Sequence, residues 1–218
     1  MQQMNLANLA NRMNPAIRVN QSNDDNSSPA VAEANSNLIN AKSFESRTVL
    51  LFGEITDIVA RKTTEQLVAL DTASSKPITV LISSPGGHVE SGDSIHDVVR
   101  FIRSPVRMIG TGWVGSAAAH VFLAARSEYR FCLPNTRFLI HQPSGGIGGK
   151  GTDIAIQARE ILRIRERIAR TIAKATGHTL EKVMADIERD HWLNATEAVD
   201  YGLVSRIIEH RSELDNTD

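Results

Sequence analysis

The run Ile78-Thr79-Val80-Leu81-Ile82 constrains this chain more than any other stretch. It is nearly all apolar and β-branched, where a strand with one wet face would alternate. Such a strand is buried on both faces. Pro77 starts it, and the tight loop Ser83-Ser84-Pro85-Gly86-Gly87-His88 ends it.

The flanking segments supply the layers. Thr48–Phe52 reads as a strand closed by Gly53. A helix follows from Thr56 to about Ala73, with Val59, Thr63, Leu67 and Leu70 on one face and Thr56 or Asp57 as cap. Glu90–Arg103 is amphipathic, with Ile95, Val98, Val99 and Ile102 inward. Pro105 precedes the strand Val106–Gly112, and a small-residue helix runs over Ser116–Ala125. Strand, helix, strand, helix, strand, helix predicts an α/β fold with a mostly parallel sheet and right-handed crossovers. Sites in such sheets form at the carboxyl ends of strands. The Gly86-Gly87 loop and Ser116 both belong to that edge.

Further on, Tyr129–Cys132 and Arg137–His141 read as strands about a turn at Leu133-Pro134-Asn135. Gly145–Gly151 holds five glycines in seven residues, too flexible for core. A long helix runs from about Asp153 to Thr176 and is ended by Gly177. Its cations read as a solvated face, not a nucleic-acid surface, because aromatic interleaving is absent. Thr179–Arg189 is a further helix, and Asp190-His191-Trp192-Leu193 breaks it. Asn194 and Glu197 form a capping box for a short helix to Tyr201, and Leu203–Ile208 is a last strand.

Residues 1–42 hold ten of the thirteen asparagines. Asparagine is a poor helix former, so residues 1–45 are expected to be a disordered arm. The expected organisation is that arm, one domain over residues 46–210, and a polar tail over 211–218. The net charge of -1 gives no general reason to expect nucleic acid or an anionic membrane. One cysteine, Cys132, excludes an internal disulfide. No apolar run reaches bilayer length, and the first residues lack a secretory layout, so a cytoplasmic protein is expected.

No H-E-x-x-H, cysteine pair, P-loop or dinucleotide fingerprint is present, so neither metal nor cofactor is expected. What remains is serine, histidine and carboxylate chemistry at the sheet edge. Ser116 opens a helix, where it could be a plain cap or a nucleophile beside N–H donors. The sequence there is not G-x-S-x-G, since Val114 and Ala118 hold the glycine positions. His141 ends an apolar strand. Asp93, Asp97, Asp153, Asp186 and Asp190 all stand open as the acid. Residue types alone leave serine hydrolysis level with a non-catalytic or acyl-thioester-binding α/β domain.

From about Thr48 to His210 the sequence resembles the ClpP family, the proteolytic subunits of ATP-dependent Clp proteases. The motifs are Ser84-Pro85-Gly86-Gly87, Ser116, Leu133-Pro134-Asn135 and Ile140-His141-Gln142-Pro143. They continue in Asp153-Ile154, Glu160-Ile161-Leu162, Glu188-Arg189-Asp190 and Tyr201-Gly202-Leu203. The resemblance implies Ser116 as nucleophile, His141 as base and Asp190 as acid, with the backbone N–H groups of Gly87 and Ala117 as oxyanion donors. It implies that extended substrate pairs near Val89 and Ser144. It also implies a crotonase-like fold with a protruding handle helix and strand. Members stack two seven-membered rings, and Asp153 and Arg189 match residues that make contacts between rings. Polypeptide substrates, a homo- or hetero-oligomer and an AAA+ unfoldase partner follow from the same likeness.

The chain departs from the family pattern in places. Thr79 and Leu81 stand where aromatic residues often line the unfoldase-docking pocket, although Phe101 is retained. Ala117 replaces a frequent methionine, Ser144 a frequent leucine, and Lys150-Gly151 a frequent Gln-Ala. These changes suggest a divergent paralogue. The alternatives are a weakly active structural or regulatory subunit of a mixed ring, and a crotonase-fold enzyme acting on acyl-CoA.

Overall fold

The fold was obtained as a computed structural model that describes residues 29–144 and 148–214. Helix α1, Pro29–Glu45, occupies residues expected to belong to the disordered arm. Its side chains from Glu33 to Lys42 are exposed. The remainder of the arm, residues 1–28, lies outside the described residues.

The domain is built on seven strands: β1 (Thr48–Phe52), β2 (Ile78–Ser84), β3 (Val106–Gly115), β4 (Arg130–Cys132), β5 (Arg137–Ile140), β6 (His191–Asn194) and β7 (Arg206–Ile207). Strands β1, β2, β3, β4 and β7 lie side by side in that order, all parallel. Strand β3 changes partner along its length. Met108–Gly110 pair with β4, and Trp113–Gly115 pair with β5. Between them β3 carries two extra residues relative to β2, since Ile82 faces Gly110 and Ser84 faces Val114. Gly112 sits in this bulge at φ +58, the left-handed region that glycine enters without a Cβ penalty.

Strand β6 pairs antiparallel with β5. The sequence had suggested only a break at Asp190–Leu193. Four residues are too few to show a period, and the hairpin's partner is fifty positions away. Trp113 of β3 and Trp192 of β6 stack at 5.8 Å, and the Arg137 guanidinium of β5 lies 4.7 Å over the Trp192 ring. Side chains thus bind the three strands together on their outer face.

The main core forms on one face of the sheet: in β2 Ile78, Val80 and Ile82 are buried, while Thr79 and Leu81, expected to be buried too, are only partly covered. Leu51, Ile78, Ile82 and Met108 are fully buried, each contributing about 1.5–3 kcal/mol by leaving water. Helices α2 (Asp57–Ala73) and α3 (Val89–Phe101) cover the sheet with Ala60, Leu67, Leu70, Ile95 and Val99. Thr56 caps α2 by accepting from the Val59 N–H. Where the chain enters β1, Arg47 has φ +51 and its guanidinium donates to the carbonyls of Leu70, Ser74, Lys76 and Pro77. Those carbonyls surround the end of α2, where helix acceptors lack intrahelical partners.

Helix α4 covers Ala117–Phe122, shorter at both ends than expected from the sequence. Helix α5 (Gly151–Thr176) ends at Gly177 with φ +79, and α6 (Leu180–Asp186) and α7 (Ala195–Asp200) follow. Asn194 and Glu197 form the full capping box. The last strand is only Arg206–Ile207, because the backbone before it turns to bond Arg130 through Ser205. The expected polar tail contains a 3-10 turn at Arg211–Leu214 that buries Leu214 against Ile109, Phe131 and Ile208. No strand is formed by residues 142–144 or 148–150, and the expected handle strand otherwise falls outside the described residues. No described helix is long and apolar enough to cross a membrane.

Candidate active site

The distal half of β3 delivers Ser116 to the carboxyl edge of the sheet. Its backbone has φ +54 and ψ −123, and its side chain caps nothing. The plain N-cap reading therefore does not hold. Arg47 and Ser116 are the two non-glycine residues at positive φ among the described residues. Such a conformation is unfavourable for a residue with a Cβ and persists only when its surroundings enforce it. Here the Ser116 N–H donates to Leu139 O at 2.9 Å, and Ser116 O accepts from the His120 N–H.

His141 follows β5, and Asp190 immediately precedes β6. The antiparallel pairing of Ile140 with His191 brings them together. His141 Nδ1 lies 3.0 Å from Asp190 Oδ1. With the proton on Nδ1, the imidazole donates to the carboxylate and leaves Nε2 as an acceptor. Of the five aspartates open at the sequence level, Asp190 is the one that meets His141. Asp93 bonds His120 and Arg167, and Asp186 accepts from the Tyr201 hydroxyl. Asp153 is exposed on the first turn of α5.

Ser116 and His141 line one small cavity of about 30 Å³, walled by Val89, Ile140, Ile168 and Ile172. The Ser116 hydroxyl has no hydrogen bond to His141 among the described residues. A neighbouring groove is lined by His141, Ser144, Arg189 and Asp190. Val89 lines the first cavity and Ser144 the second, while Arg189 is exposed beside Asp190.

The Gly86-Gly87 loop closes the site. Ile55 N–H donates to Gly86 O at 2.8 Å, and His88 N–H donates to Ile55 O at 2.9 Å. The Gly87 N–H enters neither bond. A Cβ on Gly87 would fall 2.4 Å from Ile55 O, so only glycine fits. A Cβ on Gly86 would fall 2.7 Å from both Gly115 O and Ser116 Cβ. Sequence reasoning singled out the second glycine as a donor and missed that the first sets the clearance to Ser116. The Ala117 N–H is the first of α4 and has no intrahelical acceptor. The arrangement offers a hydroxyl, an oriented imidazole and two candidate donors for a developing negative charge.

Beneath the cavity lies a polar network not anticipated from the sequence. His120, 7% exposed, bonds Asp93 through Nε2 at 3.0 Å, and Arg167 holds Asp93 with two 2.7 Å bonds. Burial, reinforced by nearby His96, pushes the His120 imidazole down to about 4 against the opposing pull of Asp93. Burial raises Asp93, but Arg167 outweighs it and holds the carboxyl below its usual range. No cluster of three or more His, Cys, Asp or Glu side chains placed to hold a metal occurs among the described residues.

The family model for Clp protease matches residues 31–211. The chain is 57% identical over 173 residues to ATP-dependent Clp protease proteolytic subunit 2 of Gluconobacter oxydans, covering 78% of each. It is 55% identical to proteolytic subunit 3 of Rhizobium etli, covering 80% of this chain and 90% of that one. The solved structure of ClpP1 from Listeria monocytogenes superposes with a TM-score of 0.74 at 48% identity, covering 81% of this chain and 99% of that one. With the family model, the identities and the superposition in agreement over most of its length, the chain belongs to the Clp protease family as a ClpP-type proteolytic subunit.

Proposed function

We propose that the chain is a serine endopeptidase subunit that cleaves unfolded polypeptides through an acyl-enzyme. The observation that carries this reading is the 3.0 Å contact of His141 with Asp190 beside Ser116, in a cavity that both Ser116 and His141 line. Ser116 Oγ attacks the scissile carbonyl carbon as His141 Nε2 takes its proton. Asp190 keeps the imidazole in the required tautomer and stabilises its cation. The carbonyl oxygen becomes an oxyanion held by the Gly87 and Ala117 N–H groups. Collapse breaks the C–N bond, and the amine leaves with the proton from Nε2. Water, deprotonated by the same nitrogen, then attacks the acyl ester and releases the acid and Ser116. Backbone near Val89 and Ser144 pairs with the extended substrate from its two sides.

The family motifs matched in the sequence imply, further, a cytoplasmic subunit of two stacked seven-membered rings, with Asp153 and Arg189 at the contact between rings. They support an AAA+ unfoldase as feeder. Its docking surface is altered: Phe101 is 86% exposed, but Leu81 is partly buried against Ile109 and Phe131. The test is intact mass after treatment with a fluorophosphonate. One adduct on the wild type and none on Ser116→Ala supports the nucleophile, and no adduct on either sinks it for the isolated protein.

A second reading is a subunit with little activity alone in a mixed ring. The missing Ser116–His141 hydrogen bond favours it, because catalysis needs close geometry. Labelling that arises only on co-expression with a paralogue supports this reading.

A further inference from the structure

His120, which lines the Ser116 cavity, stacks on His96 with ring centres 4.3 Å apart. His96 in turn lines a second cavity of about 290 Å³, between α3, α5 and the segment after α4. Four cations line this cavity, Arg100, Arg126, Arg130 and Lys174, together with the hydroxyl residues Ser127 and Thr171. No acidic residue lines it. Arg126 reaches Glu128 at 3.5 Å, and Glu128 also acts on Arg130. Asp97 bonds His96 at 3.0 Å. Both of these carboxylates point largely to solvent. Arg100, Arg130 and Lys174 form no ion pair among the described residues.

Arg130 is the decisive group. It is 2% exposed, and among the described residues its guanidinium makes one hydrogen bond, from Nη2 to Ala175 O at 2.8 Å. Nε and Nη1 are buried with no partner. Capping the carbonyls at the end of α5 accounts for one of five guanidinium donors. A buried cation with unused donors is costly unless an anion meets it. Arg100 is exposed at the cavity wall and holds Ala124 O only by a long 3.5 Å bond, so its guanidinium can turn to an anion.

We propose that this cavity binds a phosphate-class oxyanion, free inorganic phosphate or the phosphate group of a small molecule, held by Arg100, Arg130 and Lys174. A guanidinium presents the fork that phosphate oxygens match, and a ring of cations without acids supplies the charge. The anion sits beside the His96–His120 pair, two rings from the cavity of Ser116. The site does not depend on the peptidase reading, because none of its residues belongs to the triad or the Gly86-Gly87 loop.

The test is a titration of the full-length protein with inorganic phosphate at constant ionic strength set by sodium chloride, read by thermal unfolding and by ³¹P NMR line width. A saturable rise in melting temperature is expected, with matching line broadening. Arg100→Ala and Lys174→Ala are chosen because both side chains lie on the cavity wall, where Arg130→Ala threatens the fold. Each should shift half-saturation to about tenfold higher phosphate, the loss of one charge-assisted hydrogen bond. No phosphate effect, or an equal effect in wild type and both variants, overturns the proposal. So does a weakening of subunit association in Lys174→Ala without any phosphate response, which assigns the cavity to a carboxylate of a neighbouring copy.

Discussion

Replacing Gly86 by alanine tests how the nucleophile is held. The new Cβ would lie 2.7 Å from Gly115 O, 2.7 Å from Ser116 Cβ and 2.9 Å from Ala117 N. All three atoms are backbone or fixed directly to it, so no flexible side chain can swing away. Gly86 also has φ +98, where an L side chain is strained by about 1–2 kcal/mol. Overpacking adds about 1–3 kcal/mol, so the variant should lose roughly 2–5 kcal/mol of stability if the loop holds its place. If the loop yields instead, a normal 3.4 Å contact requires a movement of about 0.7 Å at Ser116. A displacement of that order costs about 10²-fold in rate. The assay pairs urea denaturation with the second-order rate of fluorophosphonate addition to Ser116. Gly151→Ala is the control, because a Cβ there meets nothing within 4 Å. A Gly86→Ala protein that melts like the wild type and labels within threefold of it would refute the reasoning.

Asp190→Asn should lower kcat for a peptide substrate by about 10³–10⁴ with little change in KM, since it disturbs the imidazole's tautomer more than substrate binding; steady-state kinetics decides. His120 should make the fold acid-sensitive. Its folded value, about 4, lies below the unfolded value near 6.5, so its contribution is complete above pH 6.5 and lost as pH falls toward 4. Between pH 7.5 and 4.5 this amounts to about 2–3 kcal/mol, and His120→Phe should flatten the urea-melt profile by that amount. Burial pushes the Cys132 thiol up to about 11 despite an opposing bond from Thr136. Iodoacetamide at pH 8 should therefore modify it only in urea, as mass spectrometry will read.

Local signals gave the elements that carry their own period. The apolar run at Ile78–Ile82 marked a strand, although only its alternate residues are fully buried, and Asn194 with Glu197 marked a helix start. Long-range pairings left weaker traces. Strand β6 is specified by β5 rather than by its own four residues. The acid could not be chosen among five aspartates, because only the β5–β6 hairpin carries Asp190 to His141. The His120–Asp93–Arg167 network joins α4, α3 and α5, and no spacing along the chain connects them. The local pattern at Ser116 fits a plain cap and a nucleophile equally, because both place a serine at a helix start. Its positive φ accompanies a bond to Leu139 O and a close approach to Gly86, both distant in sequence.

The bulge at Gly112 marks where the body that carries the site begins. Ser116, His141 and Asp190 all ride on the far half of β3 and the β5–β6 hairpin, which side-chain stacking on Trp192 fastens into one piece. The Gly86-Gly87 loop hangs from β2 and is tied to Ile55, and just before it Ser84 pairs with Val114 of that piece. Flexure at the bulge would therefore carry the three side chains together and leave their mutual distances alone. The Ser84–Val114 pairing and the close approach of Gly86 to Gly115 and Ser116 couple the Gly87 N–H to the same movement. On the reading proposed above, nucleophile, base and acid travel as one body, and the loop that faces them is keyed to it through a pairing beside the bulge.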